Sequence, residues 1–76
     1  MVIEEKFIED IKNMLNISTE ICLDTDLLDI EEWDSFSKVS FMAMVNEKYN
    51  INLPRFEVAS AETVGDLYSI VQDYSD

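Results

Sequence analysis

Apolar residues recur at Ile3, Phe7, Ile8, Ile11, Met14 and Leu15, and this spacing predicts an amphipathic helix over residues 3–16. Glu5, Lys6, Glu9, Asp10, Lys12 and Asn13 cover its other side, and Asn16 is a fitting end. No period is sustained from residue 17 to about 33. Ser18, Thr19, Asp24, Thr25 and Asp26 favour turns there. Ile17, Ile21, Leu23, Leu27, Leu28 and Ile30 are expected to pin this connection across the fold, and connections of such length in small domains usually carry function.

Helical period resumes over residues 34–49. Phe41, Met42, Val45 and Tyr49 form one arc, assigned to the core. Val39 and Ala43, with Phe36 near the start, lie round towards another side. A helix apolar on more than one face is either buried or offers a second surface to a partner. Asn50-Ile51-Asn52-Leu53-Pro54 ends it, and Pro54 can open a short helix over residues 54–60. Thr63 then caps a last helix, with Asp66 completing a Thr-x-x-acid box. Val64, Leu67, Tyr68, Ile70, Val71 and Tyr74 line its apolar face. The pattern predicts an all-α fold: a small antiparallel four-helix bundle of three longer helices and one short, with a long loop between helices one and two.

Length confines this to a single domain over residues 1–76 with one core, since folding at this size buries only about 60% of the unfolded surface. Such a domain can present a surface or hold one small ligand, and a deep catalytic cleft does not fit. Met14, Met42 and Met44 could supply an adaptable interior. Cys22 stands alone, which excludes an internal disulfide, and reads as a small buried hydrophobe. The start Met1-Val2-Ile3-Glu4-Glu5 lacks the basic and apolar stretches of a signal peptide. The apolar run Phe41 to Val45 is too short to span a bilayer, so no membrane span and a cytoplasmic location are expected.

Charge changes the picture more. Seventeen acids against five basic residues give a net charge of −12. Lys6, Lys12, Lys38, Lys48 and Arg55 offer no basic patch, which argues against nucleic acid or an anionic membrane as partner. A basic protein surface suits the field instead. Glu20, Asp24, Asp26, Asp29, Glu31, Glu32 and Asp34 fill the stretch between Lys12 and Lys38, and six of these seven crowd just before Ser35. They make either a solvated loop or a patch that steers basic partners. Asp73 and Asp76 lie at the far end of the chain.

Asp34 reads as the N-cap of helix two, which leaves Ser35 at its N-terminus with the hydroxyl outside. Backbone N–H groups and the helix dipole favour a phosphate ester at such a position. The chain has no His, so a Ser-His-acid triad is impossible, and Lys38 reads as a solvated lysine and a poor base. No Gly-rich loop cradles a nucleotide. The acidic loop fails as a calcium-binding EF-hand, because Asp29 replaces the required Gly and Ser35 the bidentate Glu. A serine so placed is suited to being modified.

The ordered set of Leu27-Leu28-Asp29, Asp34-Ser35-Phe36, Tyr49-Asn50-Ile51-Asn52-Leu53-Pro54 and Thr63-Val64 resembles the acyl carrier protein family over nearly the whole chain. Asp34-Ser35-Phe36 matches the family's Asp-Ser-Leu motif with Phe for Leu. Glu32-Trp33-Asp34-Ser35 looks like the Trp-Asp-Ser form of small free-standing carriers, and the Phe is similar to that of D-alanyl carriers. The resemblance implies that Ser35 receives covalent phosphopantetheine, derived from coenzyme A, from a phosphopantetheinyl transferase. The arm's thiol then holds an acyl or aminoacyl group as a thioester, loaded by a ligase or transferase with a basic docking surface. It implies a non-catalytic, monomeric carrier. Glu31, Glu32, Phe36, Val39, Ala43 and Glu47 are the expected partner-binding residues, and no metal ligands are expected.

Ser37, Lys38, Ser40, Asn46 and Lys48 dilute the acids that fatty acid synthesis members carry along helix two, and the negative charge has moved largely to the preceding loop. Fatty acid or polyketide synthesis, cell-surface polysaccharide, secondary metabolism and amino acid transfer all remain compatible. The alternative from another class is an unmodified acidic helical adaptor that binds a basic protein. Such an adaptor has no need of Ser35.

Overall fold

The computed structural model describes residues 2–75; Met1 and Asp76, the last of the far-end acids, lie outside them. Four helices follow in order: α1 Glu4–Leu15, α2 Ser35–Tyr49, α3 Arg55–Ser60 and α4 Val64–Tyr74. A single 3₁₀ turn over Leu27–Asp29 interrupts the long loop, and the described residues form no strand, only an isolated bridge between Asp26 and Thr63. This is a small all-α bundle, as the periodicity predicts.

Two asparagines stop α1 and α2. Asn16 (φ 57°) and Asn50 (φ 58°) both take the left-handed conformation, which Asn tolerates better than most side chains. The Asn50 N–H donates to the Asn46 carbonyl at 3.0 Å. Pro54 stands one place earlier than expected: it is extended (ψ 133°) and caps α3 rather than opening it. It lacks an N–H, and the first turn of a helix has no intrahelical use for one.

Phe7, Ile11, Phe41, Val45, Val58, Val64, Leu67 and Val71 are fully buried and join all four helices in one core. Phe7 packs edge-on to Phe41 at 6.0 Å between ring centroids, and Trp33 meets Phe41 from the loop side at 5.9 Å. Trp33 thus anchors the chain one residue before Asp34.

The long loop is held by backbone as well as by side chains. Leu27 N–H donates to the Glu62 carbonyl at 2.9 Å, Val64 N–H to Thr25 at 3.0 Å and Gly65 N–H to Leu23 at 2.7 Å. The free N–H groups at the start of α4 therefore find their acceptors in the loop. A Cβ at Gly65 would sit 2.8 Å from the Leu23 carbonyl oxygen, so only glycine permits this approach.

Several expected core positions face outward. Leu28 is 97% exposed while its neighbour Leu27 is buried, because a three-residue 3₁₀ turn cannot aim adjacent side chains the same way. Ile3 is exposed and Val2 is buried in its place. Tyr68 and Gln72 side chains both donate to the Val2 carbonyl, at 2.7 and 2.9 Å, and draw the extended N-terminal segment onto α4. Cys22 is exposed, not buried: its N–H and carbonyl are both tied to Thr25 in a turn that leaves the thiol outside. Tyr74 is partly exposed, its hydroxyl donating to Glu57 of α3.

Asp10 corrects the expected polar face of α1. Its carboxylate is buried and accepts a hydrogen bond from the Tyr49 hydroxyl, with Lys6 at 3.5 Å and Lys48 at 3.8 Å. Buried charge is tolerated where it is paired and hydrogen-bonded, and this one is both.

Candidate functional site

Local sequence alone starts α2 at Ser35. Asp34 is extended (φ −141°), and its carboxylate accepts the Ser37 N–H at 2.9 Å. The Ser37 hydroxyl returns the contact, accepting the Asp34 N–H at 2.6 Å. The same hydroxyl lies 2.9 Å from the Glu32 carbonyl, to which it can donate. This is a reciprocal capping box. Asp34 meets its role as cap, and Ser37, read from the sequence only as a residue that dilutes the acids along helix two, is buried inside the box. The hydrogen bond from the Ser37 backbone, and then that from its side chain, hold the Asp34 carboxyl below the usual carboxylate range.

With Asp34 and Ser37 engaged in the cap, Ser35 is left over. It is the first helical residue and exposed, and its hydroxyl makes no side-chain hydrogen bond among the described residues. The fifteen-residue α2 points its positive end at that position. A hollow of about 240 Å³ opens beside it, lined by Ser35, Lys38, Val39 and Met42 of α2, by Arg55 just across, and by Val58 and Ala59 of α3. Met42, expected in the core, is half-buried and forms part of this wall. Lys38, expected in solvent, is half-buried too and also borders a second hollow with Leu28, Trp33 and Thr63. A phosphodiester on Ser35 would stand at an exposed helix N-terminus beside this hollow, a position that fits a phosphopantetheine arm.

The expected partner-facing residues are all exposed. Phe36 is 80% and Val39 55% exposed, and Ala43 and Glu47 are exposed further along. Their spacing of three, four and four residues places them along one side of α2, next to Ser35. Glu31 and Glu32 are exposed but turn towards a different hollow, shared with Ile17, Glu20, Thr25 and Asp29. The structure therefore joins Ser35 and Val39 in one wall and sets the acidic loop on another flank of the same end. Arg55 and Val58, absent from the expected site, complete the wall. No sequence period links them to Ser35, since α3 brings them there only through the chain reversal at residues 50–54.

Among the described residues no group of three or more His, Cys, Asp or Glu is placed to hold a metal ion, and no helix is long and apolar enough to cross a membrane.

No protein-family model matches the chain, nor does any curated protein. The likeness lies in solved structures. A protein of Mycobacterium tuberculosis classed as an acyl carrier protein superposes with a TM-score of 0.83 at 22% identity, covering 93% of this chain and 96% of that one. The holo acyl carrier protein of Geobacter metallireducens, solved in solution by NMR, superposes with a TM-score of 0.82 at 23% identity, covering 97% of this chain and 86% of that one. The fold is that of acyl carrier proteins.

Proposed function

We propose that this chain is a carrier protein of the acyl carrier family, with Ser35 as the attachment point of a phosphopantetheine arm. The observation that carries the reading is the exposed Ser35 hydroxyl at the start of α2, spared from the cap that Asp34 and Ser37 form between them. The chain has no His to act as a base at that serine, and a separate transferase supplies one. The serine Oγ–phosphorus bond forms as the pyrophosphate link of coenzyme A breaks; adenosine bisphosphate leaves and the serine proton passes to the transferase. The arm's terminal thiol supplies the thioester that holds an acyl or aminoacyl cargo.

This chain's own part is presentation. The cap fixes Ser35 at the positive end of α2, where the dipole stabilises the phosphodiester. The acids before it attract basic partner surfaces, and Phe36, Val39, Ala43 and Glu47 set the fit once contact is made. The protein itself is a cytoplasmic, monomeric substrate of other enzymes and no catalyst. Incubation with coenzyme A and a broad-specificity phosphopantetheinyl transferase, followed by a screen of acyl and amino acid ligases, tests it. One arm and a subsequent thioester are expected. A chain that gains no arm refutes the proposal.

A further inference from the structure

An open groove of about 430 Å³ runs between α3 and α4, lined by Phe56, Glu57 and Ser60 on one side and by Asp66, Ser69 and Ile70 on the other. It shares no lining residue with the hollow beside Ser35. The short α3 divides its side chains between the two: Arg55 and Ala59 line the hollow beside the serine, whereas Phe56 and Ser60 line the groove against α4. On α4, Asp66, Ser69, Ile70, Asp73 and Tyr74 recur three and four residues apart and so form one stripe. Phe56 is 72% and Tyr74 44% exposed, and Ile70 is half-buried. The Tyr74 hydroxyl donates to Glu57 between the two helices. A single exposed apolar side chain is ordinary, but three flanking one groove mark an interaction surface.

Charge defines what covers it. From Phe56 to the end the chain carries five acids and no Lys or Arg. Glu57, Asp66 and Asp73 border the groove, and none of them is ion-paired among the described residues, where the ion pairs lie at Asp10 and Glu20. A second copy of the chain would bring another −12 to this face and be repelled.

We propose that the α3–α4 groove docks an amphipathic helix of a partner protein, its apolar stripe flanked by Lys or Arg. The apolar side chains pack on Phe56, Ile70 and Tyr74, and the cations stand over Glu57, Asp66 and Asp73. Ser60 and Ser69 are small and exposed, which lets the helix lie close. The eleven residues of α4 give a seat about 16 Å long, about three turns of the incoming helix. Because the seat lies off the Ser35 hollow, a protein held there leaves the serine open to other enzymes. The inference goes beyond the carrier reading and does not depend on it.

The test titrates the chain, unmodified at Ser35, with a helical peptide of about fourteen residues, long enough to span α4. The peptide carries leucines on one face and lysines beside them. A glutamate-for-lysine counterpart and an isomer with scattered leucines accompany it. Backbone amide resonances of residues 56–60 and 66–74 should move with the first peptide, more than those of residues 17–49, and the other two peptides should bind far more weakly. Phe56→Ser should weaken binding about tenfold, as loss of an aromatic anchor does. Asp73→Lys should weaken it less and flatten its salt dependence. Both residues are exposed, so both variants should keep the wild-type circular dichroism. Val39→Ser on α2 should bind as the wild type does. Shifts centred on residues 17–49, unchanged binding by Phe56→Ser, or equal binding of the three peptides overturns the inference. So does a dimer of the chain alone in sedimentation that Phe56→Ser dissolves, because the groove would then belong to a second copy. Each of these results leaves the carrier reading standing, since that reading is decided by the arm at Ser35.

Discussion

Tyr49, the last residue of α2, donates its hydroxyl hydrogen to the buried carboxylate of Asp10 on α1. Two residues far apart in sequence thus close the α1–α2 interface with a charge-assisted bond. Burial, and after it the Asp10 carboxylate, raise the Tyr49 pKa above its ordinary value of 10.0. The folded protein therefore holds the phenol proton more tightly than the unfolded chain. That contribution is intact below about pH 10 and is lost as the pH rises through the folded value. Tyr49→Phe should cost about 1.5–3 kcal/mol at neutral pH, the range for a hydrogen bond to a charged group. The variant should also lose the part of the alkaline destabilisation that Tyr49 causes. Urea unfolding at pH 7 and at pH 11 measures both.

Gly65→Ala should destabilise the fold, although alanine is the better helix former by about 1 kcal/mol. The added methyl would stand 2.8 Å from the Leu23 carbonyl oxygen, which is backbone and already accepts the Gly65 N–H. The clash should outweigh the propensity and leave a net loss of about 1–3 kcal/mol. Denaturant titration decides the sign; a more stable variant would mean that the loop is free to move aside.

The cap of α2 can be read by acid. The Asp34 pKa is lowered in the fold, so its contribution is present above the unfolded value of 3.8 and is lost as the pH falls through the folded one. Asp34→Ala should lower the melting temperature at pH 7 and show a shallower acid limb than wild type below pH 4. Ser37→Ala, which removes a buried hydroxyl and leaves the Asp34 N–H without its acceptor, should cost about 1–2 kcal/mol. Thermal melts from pH 2 to 7 give the comparison.

Much of this was legible in the sequence, and the failures have physical causes. The periods through Phe7 and Ile11, Phe41 and Val45, and Leu67 and Val71 place three helices, because burial of one face dictates that spacing. Asp34 and the Thr63–Asp66 box mark helix starts because capping is local chemistry. Asp10 was not legible: its partner Tyr49 lies 39 residues away, and a buried acid has the same sequence signature as a solvated one. Leu28 and Cys22 read as buried hydrophobes, but turn geometry inside an aperiodic loop decides which way each side chain points. At the site, Ser35 and Val39 follow from helical spacing, whereas Arg55 and Val58 enter only through packing of α3 on α2.

Partner recognition separates into charge and fit. Neutralising Glu31 and Glu32 together should slow association with the transferase and flatten its salt dependence, while leaving dissociation nearly unchanged. Val39→Glu places a charge on the exposed apolar side of α2 and should speed dissociation instead. Asp73→Lys, near the far end of α4, serves as the control and should do little. Stopped-flow or surface-binding kinetics at two salt concentrations separates these effects. A control as harmful as the Glu31 and Glu32 changes would show that total charge matters and that no local docking patch exists.

The central claim stands on one serine, and intact-mass spectrometry tests it most directly. Wild-type protein treated with coenzyme A and a phosphopantetheinyl transferase should gain the mass of a single phosphopantetheine, and fragmentation should place it on Ser35. Ser35→Ala should keep the wild-type circular dichroism, since the cap uses Asp34 and Ser37, and should gain nothing. An arm on the Ser35→Ala variant, or a folded wild type that never acquires one, would contradict the account.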